Sequence, residues 1–239
     1  MKRDRFFYTG AGAVFLVLTV IGFRHYIFGG VHDDGTPIEP VMLATVIAHS
    51  SAVFAWFLLF FVQSLLISTQ NRRVHMKLGW SVLVIGSMIA VTGPLVAIRS
   101  TRIDTFSGIV FDWPGRSFLL IMLTEITLFV VFVTIGVLNR KRPRIHRPMM
   151  LLASLSIISG ATARIPLVNS IFGIHEWMAL FAPVAALGGI FLLVRWAMTR
   201  SIDREFAVGY AALVVVTLAV SRLAYTDVWG SLAATILKL

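Results

Sequence analysis

A chain of 239 residues that is 58% hydrophobic and only 13% charged departs from a soluble domain, in which about 45–50% apolar and about 25% charged residues are usual; it reads as an all-α integral membrane protein. Its 21 Lys and Arg against 11 Asp and Glu give a net charge of +10, yet the basic residues lie in short clusters between long apolar runs, a pattern that speaks of orientation in a bilayer and excludes a nucleic-acid-binding face. The absence of cysteine excludes a disulfide framework, thiolate metal sites and a cysteine nucleophile.

A helix needs about 20 apolar residues to cross about 30 Å of hydrocarbon. Seven such runs are predicted, at about 6–28, 41–68, 78–98, 117–138, 149–167, 176–198 and 206–225, forming one transmembrane domain over 1–239. The first run follows Lys2, Arg3 and Arg5, ends in Phe23-Arg24-His25 and lacks an Ala-x-Ala site, so it is expected to be a retained span and not a signal peptide. With the N-terminus in the cytoplasm, 14 of the 21 basic residues fall inside, in clusters around Arg3, Arg73, Arg142 and Arg200. The positive-inside rule therefore places the C-terminus outside, in the periplasm of a bacterial inner membrane. Two outer segments are expected to lie at the interface: 99–116, with Phe106, Ile109, Val110, Phe111 and Trp113, and the tail from Trp229 to Leu239.

An approximate repeat runs through the inner loops. Arg72-Arg73-Val74-His75-Met76-Lys77-Leu78 precedes the third span and Arg142-Pro143-Arg144-Ile145-His146-Arg147-Pro148-Met149 precedes the fifth, which suggests duplicated helix pairs. His75 and His146 are either anchors at an anionic lipid surface or ligands.

Ionisable groups within spans are costly and mark candidate sites. At about 1.5 Å per residue, His49 lies about 13 Å below the outer surface, Glu125 about 12 Å and Arg164 about 8 Å. The three are expected to meet, either as a Glu125–Arg164 ion pair or as a ligand cluster with His49. Arg24, His25, Arg99, His175, Glu176 and Arg222 sit towards the same outer end. On the second span His49, Trp56 and Gln63 recur every seven residues, so they share one helix stripe that faces protein. The third span answers with Gly79, Gly86 and Gly93, a groove for a neighbouring helix or a planar cofactor.

The chain resembles a family of uncharacterised bacterial polytopic integral membrane proteins. The resemblance rests on His49 with Trp56 and Gln63, on Arg73-Val74-His75-Met76-Lys77-Leu78-Gly79-Trp80, and on Arg116-Ser117-Phe118-Leu119-Leu120 before Glu125. It continues through His146-Arg147-Pro148-Met149-Met150-Leu151-Leu152-Ala153-Ser154 and Ala163-Arg164-Ile165-Pro166. It spans roughly residues 40 to 170 and implies no cofactor or reaction.

The expected function is binding of a small, anionic or lipidic ligand by His49, Trp56, Gln63, Glu125 and Arg164, as a receptor, transporter component or accessory subunit, with lipids and membrane partners around it. A b-type haem protein is the alternative, with His49 and His175 outside and His75 and His146 inside as haem or metal ligands. A structural subunit of a larger complex is another. The chain has no His-x-x-x-His or His-Glu-x-x-His for a zinc hydrolase and no lysine in the seventh span for a retinal Schiff base, so no catalytic residue is assigned.

Overall fold

The computed structural model describes residues 6–32, 35–102, 115–173 and 176–238. Among these it is helical, with one isolated bridge between Val31 and Pro37. The helices are α1 (Phe7–Gly22), a π-helical turn (His25–Gly29), α2 (Pro40–Ser68), α3 (Arg72–Leu78), α4 (Ser81–Arg102), α5 (Gly115–Leu138), α6 (Pro143–Ser156), α7 (Ser159–Thr162), α8 (Pro166–Phe172), α9 (Glu176–Thr199), α10 (Arg204–Leu223) and α11 (Asp227–Lys238).

Among the described residues five helical stretches are long and apolar enough to cross a membrane: Pro40–Ser68, Arg72–Arg102, Gly115–Leu138, Met178–Thr199 and Arg204–Leu223. The remaining two runs read from the sequence are interrupted. α1 has 16 residues and gives way at Phe23 to the π-helical turn. The run 149–167 is not one helix: α6 stops at Ser156, α7 makes a single turn, and α8 restarts at Pro166. Two local causes act here. Proline pushes the preceding residue out of the helical region, and Ile165 is extended at φ −88°, ψ 115°. Short hydroxyl side chains also return hydrogen bonds to their own backbone, Ser156 to Ala153 O (2.9 Å) and Thr162 to Ser159 O (3.0 Å), which competes with helix continuation. The third run differs in the other direction, since helix begins already at Arg72 and extends to Arg102.

α6 is the centre of the fold. Leu151, Leu152, Ala153, Ser154 and Leu155 have no exposed surface, and α6 packs on α5, α10, α1, α2 and α9. A helix apolar on every side is stable only when surrounded. The central helix nevertheless ends after 14 residues, about 21 Å of rise against about 30 Å of hydrocarbon. Beyond its end α1 and α9 pack on the single turn of α7 instead.

The hairpins α2–α4 and α5–α6 each hold a histidine at the end where their connecting segments lie. His146 Nδ1–H donates to Gly136 O on α5 (2.9 Å). His75 Nδ1–H donates to Gln63 O on α2 (3.3 Å). The two imidazoles meet edge to face, 6.5 Å apart and 81° between planes. Both histidines are thus partly buried staples between hairpins. At the opposite end α11 folds back: Trp229 Nε1–H donates to Arg116 O (2.7 Å), Arg102 Nε–H to Leu237 O (3.0 Å), and Trp229 and Ala233 are buried beside Ala97 and Leu119. The tail read as an interfacial helix is this packed element.

Candidate functional site

The interruption of α6 leaves a cavity of about 450 Å³, within the range of small-molecule sites. His49, Glu125 and Arg164 all line it, from α2, from α5 and from the segment between α7 and α8. Helical spacing brings them there. Met42, Val46, His49 and Val53 repeat at three- and four-residue steps along one face of α2, and Phe118, Ile121, Met122 and Glu125 do so on α5.

Each group has a defined setting. The Thr92 hydroxyl donates to Met88 O (2.6 Å) and so accepts from His49 Nδ1 (3.0 Å). This network assigns the ring proton to Nδ1 and leaves Nε2 as an acceptor. Gly93 makes room, because a Cβ there would stand 2.6 Å from Ile126 Cδ1 and 3.5 Å from His49 Cε1. Glu125 shares the cavity wall with Ser159 at the start of α7. Among the described residues Glu125 and Arg164 do not pair with each other, whereas His32–Glu39, Arg144–Glu205 and Arg195–Asp203 do. Arg164 instead donates from Nη1 to Gly160 O (2.6 Å), and its guanidinium lies over the rings of Phe23 (5.0 Å) and Tyr26 (5.5 Å). Such cation–π contacts hold a cation against an apolar wall.

Sequence reading left out three residues that complete the mouth. His32 is 8% exposed; its Nε2–H donates to Glu39 Oε2 (3.4 Å), and its Nδ1 accepts from Tyr26 O–H (2.9 Å). All three line the same cavity. Tyr26 falls at the very end of the first apolar run, and His32 and Glu39 fall between the first two runs, outside the stretches where membrane sites are sought.

No family model, curated protein or solved structure matches the chain. The likeness drawn on residues 40 to 170 therefore assigns no family, and what stands is a chain with several apolar helices consistent with a membrane protein.

The remaining candidates lie elsewhere. Trp56 is 2% exposed, donates from Nε1 to Ser154 Oγ (3.1 Å) and meets Phe129 edge-on at 4.6 Å. It ties α2 to α6 below the cavity and is not among its lining residues. Trp56→Phe is expected to destabilise the protein by about 1 kcal/mol through the lost hydrogen bond, read as a shifted equilibrium unfolding midpoint in mixed micelles; an unshifted midpoint would deny the tie. Gln63 is farther still along α2, beside His75. The stripe of three thus faces protein along its length, but only His49 reaches the void.

The histidines also remain at separate levels. His49 bonds Thr92 of α4, His75 and His146 pair at the far ends of the hairpins, and no group of three or more His, Cys, Asp or Glu is placed to hold a metal among the described residues. His175 and the interfacial strip over 103–114 lie outside the described residues. Of the glycine stripe, Gly93 faces Ile126 and His49 while Gly79 meets the His75 carbonyl and Gln63, so it accommodates neighbouring side chains and backbone.

Proposed function

We propose that this chain is an integral membrane protein whose outer half binds a small ligand, acting as a receptor, transporter component or accessory subunit. The observation that supports this reading is one cavity lined together by His49, Glu125 and Arg164. A guanidinium keeps its proton in nearly any setting and recognises anions through a planar fork of donors. His49 supplies an acceptor and Glu125 a carboxyl group on the facing walls, so an incoming molecule meets a cation, a neutral base and an acid at neighbouring depths.

The non-helical backbone beside the cavity fits the same reading. In hydrocarbon, irregular backbone is tolerated where protein covers it or where it lines a cavity, and Ile157, Ala163 and Arg164, outside the helices, do line it. The test is Arg164→Ala in purified protein against a panel of radiolabelled small carboxylates, phosphates and fatty acids. We expect at least a tenfold loss of affinity, about 1.4 kcal/mol, with unchanged insertion; equal affinity for every panel member would reject the assignment.

Seven passes in a bacterial inner membrane, N-terminus in the cytoplasm and C-terminus in the periplasm, complete the proposal. The interrupted runs at α1 and at α6 to α8 count as passes in it. Because the chain has no cysteine, single reporters need no prior substitution. In intact cells an impermeant maleimide is expected to label Thr226→Cys and to reach Arg140→Cys only after permeabilisation; the opposite pattern reverses the orientation, and labelling of both or neither removes the odd number of passes between them.

A further inference from the structure

We infer that the ligand is a single-chain anionic amphiphile, its acidic head held at Arg164 and its chain lying along α2, and that it enters sideways from the outer leaflet. The inference rests on the cavity being a binding site and names the class of molecule it takes.

Shape comes first. The lining positions on α2 run from Glu39 to Phe54, about 22 Å of helix at 1.5 Å per residue, so the void is elongated along the membrane normal. Its polar groups are unevenly spread. His49, Glu125, Ser159 and Arg164 make one belt with Ser50 and Ser51 beside it, His32 and Glu39 line the other end, and beyond Ser51 on α2 the walls are Val53 and Phe54, with Ile126 and Ile157 opposite. A compact anion such as phosphate or acetate would satisfy the belt and leave this apolar stretch unfilled, whereas burying a hydrocarbon chain there gains about 25 cal/mol per Å² removed from water.

The second observation is the route. Ile27 and Phe54 are 47% and 38% exposed, and Ser50 and Ser51 are also exposed, yet all four line the cavity. They belong to the wall and to the outer surface of the helices at once. On a membrane-spanning helix that outer surface meets lipid, so the void opens to the acyl region past Phe54 and Ile27 as well as towards the His32 mouth. A molecule already dissolved in the outer leaflet reaches the belt without passing through water.

Charge sets the head group. Arg164 lies on the Phe23 and Tyr26 rings with Nη1 bound to Gly160 O, an arrangement that fixes the guanidinium plane. A carboxylate or a monoacyl phosphate shares the required chemistry, an acidic head on one chain.

The experiment uses the full-length protein in maltoside micelles with a photoreactive diazirine hexadecanoate, competed by hexadecanoate, hexadecyl phosphate, octanoate, acetate and hexadecanol. Labelled peptides should map to α2 and α5 cavity residues. Hexadecanoate or hexadecyl phosphate should compete at least tenfold better than octanoate and than hexadecanol, and the stronger of the two identifies the head. Val53→Trp, which fills the inner end, should weaken hexadecanoate tenfold while sparing octanoate; should that variant not fold, the chain-length series on the unaltered protein decides alone. Equal competition by octanoate, equal competition by hexadecanol, or labelling outside the cavity overturns the inference. If no acyl compound competes but another anion still binds in an Arg164-dependent way, this inference falls and the cavity reading stands. Loss of all Arg164-dependent binding ends both.

Discussion

Arg195→Ala is expected to destabilise the protein by about 3–5 kcal/mol, the cost of breaking one side of a buried ion pair. Arg195 Nε–H donates to Asp203 Oδ2 at 2.9 Å, with the two side chains only 14% and 10% exposed. The guanidinium also lies over Phe7 (5.4 Å) and Tyr8 (5.3 Å) of α1. Asp203 meanwhile caps α10, its Oδ1 accepting from Phe206 N–H (3.3 Å). One ion pair therefore bolts α9 to α10 and seats α1 upon both. Removing the cation leaves a carboxylate with its charge stranded, so the loss exceeds that of the contacts alone. The double replacement Arg195→Met with Asp203→Asn removes both charges and is expected to recover at least half of the loss, because a neutral amide still caps the helix. Equilibrium unfolding in mixed micelles measures both variants. A single-variant effect below about 0.5 kcal/mol, the range of ordinary surface changes, would show that solvent screens the pair.

Gly22→Ala is the second. An added Cβ would stand 2.8 Å from Ala161 C and 2.9 Å from Ala161 Cα, and closer again to the Ala161 carbonyl oxygen. These are backbone atoms of α7, so no side-chain rotation relieves the overlap. The cost should reach about 3 kcal/mol, the upper part of the range for overpacking. The consequence extends to the site, since α1 contributes Thr19 to the cavity and the α7 segment contributes Ser159 and Gly160. Moving the two apart widens the void and carries the Phe23 ring away from Arg164. Gly10 supplies the contrast. It is exposed in the same helix with nothing within 4 Å of a built Cβ, so Gly10→Ala should stabilise by about 1 kcal/mol through helix propensity. Similar midpoints for the two alanine variants would mean that α1 and α7 do not touch at Gly22.

Much of the architecture is legible in the chain because bilayer physics leaves few choices. A long apolar run without charges must be helical, since unsatisfied backbone groups are too costly in hydrocarbon, and the stretches Pro40–Ser68 and Gly115–Leu138 agree with the runs read at 41–68 and 117–138 to within about two residues. His49 and Glu125 were placed at one level by counting residues, and the same cavity receives both. Depth is one-dimensional and follows from rise per residue. Azimuth does not, and that is where Trp56 and Gln63 parted from His49. Heptad spacing aligns side chains on one helix, but which neighbour stands opposite each turn depends on the other helices: α6 faces Trp56, α3 faces Gln63, and a void faces His49.

The interruption of α6 is the other case. The run read at 149–167 contains Gly160, Pro166 and several serines, yet its other residues are apolar enough to read as one span. Whether such a segment continues or breaks is decided by what its neighbours can offer the freed backbone groups, and that is a property of the packed bundle. Composition and charge order alone determined that this is a helical, membrane-spanning protein with its polar residues gathered towards one end. Only the tertiary structure decided that a central helix stops short, that a cavity forms above it and that Arg164 rests on two aromatic rings instead of pairing with Glu125. The physical reason is that hydrophobicity and charge act on each residue's burial, whereas cavities and partners arise from contacts between segments far apart in the chain.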